Sequence, residues 1–480
     1  MGSAALSTPG IRLPYLLGLR RLLKSEPQGS FISTDISGMA DGQFQHFIRN
    51  MSHVMGAVNT KLQRDLALRT RVARRYSMAE TSEFLGTDGS GLVHLAETDA
   101  AFPEGQGVGR HRSFSPSEVM LIRALAGTQP GSPHGLHWRC PGEPPIVVTF
   151  GAQKGGTGKS LAAAHFAQYL NLFYGLRVGV IDADPQATVS LYFADERLPL
   201  FDPGTPTLAE FMGVDDPGAR ALISREPSEL DAVWQPTPWP GIRLIPGGGN
   251  IQNGDISLFF LSRNAPVPVY RVLKDAIAQW DAGFGPRTPH AALRGPDGAF
   301  DLAAYARALE ETVDVIVIDQ QPSLTLMQLN GLIAADSVVI PQTMKGFDLA
   351  TLSTYVTNIG EYMEFILGFD SDITVGAGAH MVLPTIVQEQ NNQDTDQILD
   401  LYRKAPREVM QVWYSRSDAI ANAAEEYKSI YEYLPPPGRR ASARAFMANA
   451  NAVNDALVQR SLPHLPPRDY AATFITERWS

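Results

Sequence analysis

The sequence predicts an α/β fold in which a mostly parallel, twisted sheet is flanked by helices. Three observations favour it. An apolar run, Ile146 to Phe150, leads into a glycine-rich turn, and an amphipathic helical pattern follows from Leu161 to Leu170. Two further strand-like runs, 177–181 and 313–318, are each followed by aspartate. Strands that alternate with helices are typical of parallel sheets, whose ligands bind at the carboxyl ends of the strands.

The glycine-rich turn, residues 149–160, has the properties of a phosphate-binding loop. Its order of strand, loop and helix places backbone N–H groups and a helix N-terminus around one anion site. Lys159 is predicted to reach the terminal phosphates of a nucleotide, and Ser160 to place its hydroxyl on Mg²⁺. The predicted nucleotide-binding residues are Lys154, Gly155, Gly156, Thr157, Gly158, Lys159, Ser160 and Asp319.

Carboxylates follow the next two predicted strands. Asp182 and Asp184 come after the second strand, where they can hold Mg²⁺ through water and orient a nucleophilic water. The alternative is that they only cap the next helix. Asp319 follows the third strand, which is the Walker B arrangement. The predicted metal contacts are therefore Ser160 directly, and Asp182 and Asp319 through water.

The loop departs from the standard pattern, because Gln153 stands where glycine is usual and Lys154 precedes the glycines. This Lys-Gly-Gly-x-Gly-Lys-Ser form resembles the deviant Walker A loop of the ParA/MinD ATPases, and Asp-x-Asp-Pro-Gln at 182–186 resembles switch I of the ParA group. The resemblance implies a P-loop NTPase with ATP and Mg²⁺ as cofactors. It further implies an ATP-dependent sandwich dimer in which Lys154 reaches the partner's nucleotide and Asp184 positions the attacking water. A glycine-rich loop that binds nothing is the alternative.

The segment after Asp319 differs from the family pattern. Relatives usually continue with Thr or Cys and then Pro-Pro, whereas this chain has Gln320-Gln321-Pro322-Ser323. The difference predicts slow hydrolysis. Later segments resemble the RepA group of plasmid-partition proteins from repABC plasmids; they are 346–352, 417–419, 429–432, 444–445 and 451–454.

That resemblance implies plasmid segregation, in which a homodimer formed on ATP binds DNA and a centromere-binding protein of the ParB/RepB type stimulates hydrolysis. Two alternatives to plasmid segregation belong to other functional classes. One is a transcriptional repressor that uses ATP as a structural ligand; the other is a membrane-surface ATPase, for which residues 466–480 show little helical pattern. The candidate contacts to DNA phosphates, each of which can instead be a solvated surface cation, are Arg416, Lys428, Arg439, Arg440 and Arg444.

The N-terminal part carries a second helical region. Apolar residues between 43 and 75 recur at helical spacing, which indicates either core packing or a dimerisation helix. From Tyr76 onward the order is helix, turn, short helix, glycine-rich wing at 107–112, and a helix capped by Ser115. This order resembles the winged helix-turn-helix at the N-terminus of plasmid-partition ATPases, and implies contact with DNA, including an operator. A small helical subdomain that only packs is the alternative, and His94 stands where basic residues are usual.

The length of 480 residues suggests two or three domains. We predict an arm at 1–40, for which disorder and an over-long start are both open, a helical and winged domain at 41–127, a Gly- and Pro-rich linker at 128–145, and an ATPase domain at 146–480. A single cysteine, Cys140, excludes an intramolecular disulfide and fits a reducing cytosol. The net charge of −10 argues against a histone-like role, and no apolar run is long enough to span a bilayer. We therefore expect a cytoplasmic, nucleoid-associated protein.

Overall fold

The computed structural model describes residues 42–67, 74–129, 135–195, 197–264, 267–390 and 392–479. The chain divides into two compact units, Met1–Arg64 and Asp65–Ser480, and each is described by itself. The predicted arm at 1–40 lies outside the described residues.

Helix α1 (Gln43–Ala67) is the helix that the N-terminal apolar spacing predicts. The helical spacing of apolar residues extends to residue 75 in the sequence, but residues 68–73 lie outside the described residues. An exposed row of apolar residues is typical of a surface that meets another molecule. The large apolar side chains of α1 that are exposed are Phe44, Phe47, Ile48, Met51, Val54, Met55 and Val58.

The second unit begins with a small module. Ser77 and Ser115 each cap a helix through a capping box, with Glu80 and Glu118 reaching back, and Gly86 ends the first helix at φ 72°. The cap at Ser115 agrees with the sequence prediction. The module consists of β1 (Tyr76–Ser77), α2 (Met78–Leu85), α3 (Gly89–Thr98), β2 (Ser113–Phe114), which pairs antiparallel with β1, and α4 (Pro116–Gly127).

The centre of the second unit is a seven-stranded sheet with the order β5-β6-β4-β7-β3-β8-β9. All neighbours pair in parallel except β5 and β6. The mostly parallel sheet that the sequence predicts is therefore confirmed. Its strands are β3 (Ile146–Phe150), β4 (Val178–Ala183), β5 (Gln235–Pro236), β6 (Ile242–Ile245), β7 (Val315–Gln320), β8 (Ser337–Thr343) and β9 (Met381–Thr385).

Helices lie on both faces of this sheet. They are α5 (Lys159–Tyr174), α6 (Ser190–Phe193), α7 (Leu208–Phe211), α8 (Pro227–Val233), α9 (Asn250–Asn264), α10 (Val272–Phe284), α11 (Leu302–Glu310), α12 (Leu326–Ala334), α13 (Gly346–Leu367), α14 (Asn392–Lys404), α15 (Asp418–Glu425), α16 (Arg440–Ser461) and α17 (Tyr470–Trp479).

Alternate residues of each central strand enter opposite layers of the core. On β3, Val148 and Phe150 join the cluster that contains α5 and α16, whereas Val147 joins the cluster that contains α9 and α10. Helix α5 is buried along nearly all of its length, including polar His165 and Asn171. The helix that follows the glycine-rich loop is thus the central helix of one layer.

The small module is fixed to the far end of α5. The ring of Phe84 on α2 meets Phe173 edge-on at 4.9 Å between centroids. Arg123 of α4, which is buried, donates to the carbonyl oxygens of Phe84 and of Leu172, the latter at 3.4 Å. Trp138 donates to the carbonyl oxygen of Gly175 at 2.7 Å. The predicted linker is therefore packed against the sheet layer at its second half.

Residues that carried the resemblance to the RepA group form a buried polar network. Tyr431 donates to Oδ1 of Asn451 at 2.9 Å and accepts from Nδ2 of Asn454 at 3.1 Å. Tyr414 donates to Oδ1 of Asn454 at 3.1 Å. These bonds tie α16 to the segments beside β9, so this part of the motif packs the fold together.

The C-terminal segment corrects one expectation. Residues 466–480 were expected to show little helical structure, yet Tyr470–Trp479 form α17. Helix α17 packs on α16, with Phe474 buried against Trp413 at 4.9 Å between ring centroids. Tertiary packing stabilises a short helix whose sequence pattern is weak. Within the described ranges, we find no helix with the length and apolar character that crossing a bilayer would require.

The buried His165 predicts a pH dependence of stability. Its Nδ1 donates to the Leu161 carbonyl at 2.7 Å and its Nε2 accepts from the Ile430 amide at 3.1 Å, and burial lowers its pKa to about 4. Because the pKa is depressed in the folded state, this stabilisation is complete above pH 6.5 and is lost as the pH falls towards 4. We expect about 3 kcal/mol of unfolding free energy to be lost over that range.

Urea unfolding at pH 7 and at pH 4.5 measures this loss. His165→Gln should be less stable than wild type at pH 7 and should lose less stability between the two pH values. His94→Gln, at an exposed position on α3, is the control and should follow the wild type. Equal pH slopes for wild type and His165→Gln would contradict the assignment.

Candidate functional site: a phosphate-binding loop beside paired carboxylates

The glycine-rich loop joins β3 to α5 at the carboxyl edge of the sheet. Gly156 and Gly158 take φ values of 77° and 80°, where a side chain would be strained. A Cβ atom on Gly155 or Gly156 would meet nothing within 4 Å, so the loop borders open space. Thr385 at the end of β9 donates to the carbonyl oxygen of Thr157 at 2.7 Å, which holds the loop from the side.

Lys159 lies at the start of α5, where it contacts the Walker B aspartate. Its Nζ donates to Oδ1 of Asp319 at 2.5 Å, and both side chains are buried. The hydroxyl of Ser160, the next residue, also opposes the rise in the pKa of Asp319. Oδ2 of Asp319 is buried and, within the described part of the chain, has no hydrogen-bond partner. The structure thus brings Lys159 and Asp319 together, with Ser160 next to Lys159 at the start of α5.

Strand register places a second carboxylate next to Asp319. In the parallel pairing of β4 with β7, Asp182 is the direct partner of Asp319. On the other side of β7, Phe150 at the end of β3 is the partner of Asp319. Burial, reinforced by the neighbouring Asp319, raises the pKa of Asp182 to about 7. Burial also raises the pKa of Asp319, although Lys159 opposes that rise. Two buried carboxylates this close favour a bound cation or proton.

Asp182 also has a structural role. Its Oδ2 accepts from the amide and the hydroxyl of Ser190 at 2.9 and 2.6 Å, at the start of α6, and its Oδ1 accepts from the Asp184 amide at 3.0 Å. Oδ1 of Asp184 accepts from the Gln186 amide at 2.9 Å. The helix-capping alternative is therefore present in the geometry. It does not exclude the metal role, because Asp182 also faces Asp319.

Lys154, the additional lysine of the loop, is held within its own chain. Its Nζ forms an ion pair with Asp348 near the start of α13. Thr343 donates to the same carboxylate, and together these contacts lower the pKa of Asp348. The Lys154 side chain remains 41 % exposed while that of Asp348 is 5 % exposed. The sequence analysis missed Asp348 as a site residue, because nothing local to 346–352 marks it as a partner of residue 154.

The residues after Asp319 are held in place by amide side chains. Gln320 is buried and its Nε2 donates to the Gln328 carbonyl at 2.7 Å. Gln321 donates from Nε2 to Thr325 Oγ1 at 2.7 Å and to Asp255 Oδ2 at 3.1 Å. The two glutamines that replace the usual family residues after Asp319 thus hold this loop through hydrogen bonds of their side-chain amides.

A cavity of about 710 Å³ opens beside the end of β9. Glu389 accepts from Ser415 at 2.6 Å and from Arg478 at 3.2 Å on its wall, and these bonds lower its pKa despite its burial. Arg416, one of the candidate DNA contacts, also lines this cavity. Of the residues that line this cavity, the sequence had indicated only Arg416, Ser417, Asp418 and Ala445.

The other candidate DNA contacts fall into two groups. Arg439, Arg440 and Arg444 are exposed around the start of α16. Lys428 is partly buried and pairs with Glu426 at 2.8 Å, so its charge is locally balanced. In the small module, α3 carries no Lys or Arg, and its exposed residues include Val93 and His94. The basic surface near α16 is therefore a better candidate for phosphate contact than α3.

Comparison with known proteins decides the family. Residues 148–430, more than half of the chain, match the model of the CobQ/CobB/MinD/ParA nucleotide binding domain. The chain belongs to this family. It therefore contains a nucleotide-binding domain, and the match begins in β3, immediately before the glycine-rich loop.

Three curated relatives of the chain carry partition or replication names. "Putative replication protein A" of Sinorhizobium fredii is 26% identical over 398 residues, which cover 81% of this chain and 86% of the relative. SopA of Escherichia coli is 24% identical, covering 64% and 68%. The chromosome partitioning protein ParA of Caulobacter vibrioides is 26% identical, covering 44% and 61%. The predicted resemblance to ParA-type proteins and the RepA group is confirmed.

Solved structures show distant similarity to the chain. A structure described as a partition protein is 17% identical and covers 79% of this chain and 95% of its own, with a TM-score of 0.49. McdA of Cyanothece, solved as an ATP complex, is 17% identical and covers 66% and 97%, with a TM-score of 0.46.

The paired carboxylates predict a pH dependence in the nucleotide-free protein. Because the pKa of Asp182 is raised to about 7 in the folded state, the folded protein holds a proton there that the unfolded chain releases near pH 4. Stability from this group is complete at low pH and is lost as the pH rises through 7. We expect Asp182→Asn to reduce the fall in Tm between pH 6 and pH 8 by a few degrees.

Thermal denaturation without nucleotide or Mg²⁺ measures this effect. Asp195→Asn, at a loop position where the carboxylate pairs with Arg197 in solvent, is the matched control and should retain the wild-type profile. A fall in Tm that is the same in Asp182→Asn and wild type would show that Asp182 does not hold the proton.

Proposed function

We propose that the chain is a partition ATPase, which binds ATP and Mg²⁺ at the glycine-rich loop, closes as a dimer and uses hydrolysis to control its attachment to DNA. The carrying observation is the convergence of Lys154, Lys159 and the carboxylate pair Asp182 and Asp319 at the carboxyl edge of one sheet. Family membership supports nucleotide binding, and the names of the relatives support a role in partition.

The residues of this chain fit a magnesium nucleotide. The loop borders open space at Gly155 and Gly156, and the start of α5 directs its backbone N–H groups there. Lys159 is the buried cation for the terminal phosphates. Ser160 would contact Mg²⁺ directly, while Asp182 and Asp319 would hold its water ligands. The metal supplies charge stabilisation for phosphoryl transfer when bound.

Binding of a nucleotide would change the partners of Lys159. In the structure its ammonium group neutralises Asp319. A phosphate competes for that ammonium group, and a divalent cation competes for the carboxylate, so each would replace one half of the ion pair. The buried Asp319 is thereby kept neutralised in both states, which avoids the cost of an unpaired buried charge.

Lys154 supports the dimer. It is on the open side of the loop and is 41 % exposed, although Asp348 holds its ammonium group. Phe347, the residue before Asp348, is 82 % exposed, which places a large apolar side chain beside Lys154's partner. A second subunit that approached this face could bury Phe347 and accept Lys154 at its own nucleotide.

The hydrolytic step requires a water molecule held in line with the terminal phosphate. Asp184 lies in the turn after β4, is buried, and is fixed by its bond to the Gln186 amide. We assign to its carboxylate the orientation of that water. Lys154 of the partner would stabilise the charge that develops on the phosphate, so the chemistry is complete only in the dimer.

DNA would be held through its phosphates, without sequence reading, by the exposed arginines near the start of α16. The small module would contribute a second, operator-type contact through its wing. A centromere-binding partner protein would accelerate hydrolysis, and the fall in dimer affinity after hydrolysis would release DNA.

Two lysine variants test the site and the dimer separately. Lys159→Ala should lose nucleotide binding by at least about tenfold, since its ammonium group serves the phosphates. Lys154→Ala should bind nucleotide within about twofold of wild type but should stay monomeric with a slowly hydrolysed ATP analogue. Titration calorimetry and light scattering measure the two properties, and Lys274→Ala on α10 is a surface control. Normal dimerisation of Lys154→Ala would refute the cross-subunit role.

The ATP turnover rate distinguishes a partition ATPase from a repressor that only carries ATP. With DNA and the partner protein, wild-type turnover should rise at least about tenfold, and Asp184→Ala should remain at its basal rate. Binding of DNA by Asp184→Ala in ATP should persist, because only the release step is blocked. If neither DNA nor the partner accelerates the wild type, the repressor alternative is favoured.

A further inference from the structure

Gly247 and helix α9, two parts of one segment, lie against the two loops that follow the paired carboxylates. Just before α9, Gly247 is so close to the loop after β4 that a Cβ atom there would lie 2.5 Å from the Asp184 carbonyl oxygen and 2.7 Å from the Asp182 carboxyl carbon. Further along, α9 packs on α12, the helix that follows the loop after β7. The segment 247–264 thus contacts the loop after β4 through Gly247 and the loop after β7 through α9.

Asp255 of α9 makes the contact with the second loop. Its Oδ1 accepts from the backbone amide of Met327, in the first turn of α12, at 2.9 Å. Its Oδ2 accepts from Nε2 of Gln321 at 3.1 Å. A carboxylate at a helix N-terminus is favoured by the helix dipole, so α12 and Asp255 stabilise each other. The same carboxylate therefore holds the side chain two residues after Asp319 and the helix that follows.

The loop 321–325 is closed by three more bonds. Thr325 Oγ1 accepts from the Gln328 amide at 3.3 Å and from Gln321 Nε2 at 2.7 Å. Gln328 Nε2 donates to the Gln321 carbonyl at 3.2 Å. Pro322 and Ser323 form the exposed tip of the loop. The ends of this loop are fixed while its tip faces solvent, and Asp255 is the carboxylate that fixes it from a different helix.

The chemistry of Asp255 also determines the orientation of the Gln321 amide. A carboxylate only accepts hydrogen bonds, so Nε2 of Gln321 must face it. The Oε1 end of the same amide therefore points away from Asp255. Because both N–H groups of Gln321 Nε2 are engaged, by Asp255 and by Thr325, Oε1 is the atom of this amide that can accept a hydrogen bond from a water molecule.

We propose that Asp255 is a positioning residue for ATP hydrolysis. It holds Gln321 and the loop 321–325 in a fixed position relative to Asp319. This rests on the proposed ATPase function. Asp255 would act at a distance from the nucleotide, by fixing Gln321 and the loop that follows Asp319. Its loss should therefore reduce the rate of hydrolysis with little effect on nucleotide affinity.

The first experiment replaces one acceptor of Asp255 by a donor. Asp255→Asn places an N–H against Gln321 or against the Met327 amide, so one of the two bonds is lost. We expect kcat for ATP to fall about tenfold while KM and the Kd of a slowly hydrolysed analogue stay within about twofold. Asp275→Asn, an exposed α10 position paired with Arg271, is the matched control and should retain the wild-type kcat.

The second experiment exchanges donor and acceptor. Gln321→Glu alone sets two carboxylates against each other and should reduce kcat at least as strongly as Asp255→Asn. The double variant Asp255→Asn with Gln321→Glu restores an N–H to carboxylate bond with its direction reversed and keeps the total charge. We expect its kcat to exceed that of Gln321→Glu. Melting temperatures are measured for all variants, and the double variant serves as the test if Asp255→Asn does not fold.

The outcomes separate this proposal from the proposed function. Absence of ATP turnover in the wild type would remove the ATPase itself. Wild-type turnover with an unchanged kcat in Asp255→Asn would overturn only the positioning role. Losses that multiply in the double variant, with no recovery, would show that Asp255 and Gln321 act independently, which also overturns it.

Discussion

The pairing of β4 with β7 is the constraint on which the site depends. It sets Asp182 opposite Asp319, and β3 on the other side of β7 delivers the glycine-rich loop and Lys159 to the same edge. Both carboxylates are buried, so their charge must be balanced by Lys159 or by something that enters the site. A shift of one residue in this pairing would turn one carboxylate to the opposite face and separate the pair.

The sequence predicted the local features of the fold. β3 was predicted with the bounds that it has, because its apolar run ends sharply at the glycines. β4 and β7 continue through Asp182 and Asp319, since pairing with neighbours extends each strand past its apolar part. Helix α17 was not expected, because its stability comes from contacts with distant Trp413. The contacts made by Thr385, Asp348 and Asp255 also escaped prediction, since each joins residues far apart in sequence.

The segments that resemble partition proteins differ in their structural surroundings: some border open space and others are buried in the core. The glycine-rich loop borders open space at Gly155 and Gly156, beside the buried Asp182 and Asp319. The C-terminal motif is largely internal: Asn454 and Asn451 bond to Tyr431, and Ser417 caps α15. The resemblance thus covers a loop that borders open space in one place and buried packing in another. The two are distinguished only by burial and hydrogen-bond partners.

The attachment of the small module has a practical consequence for dissecting the protein. A shortened chain starting at residue 146 would retain the whole sheet but lose Phe84, Arg123 and Trp138. Phe173 would lose its contact with Phe84, and the carbonyls of Leu172 and Gly175 at the end of α5 would each lose a donor. Helix α5 begins at Lys159 in the phosphate-binding loop, so lost contacts at its C-terminal end destabilise the same helix that positions Lys159. The nucleotide-binding half is therefore unsuited to study as an isolated fragment.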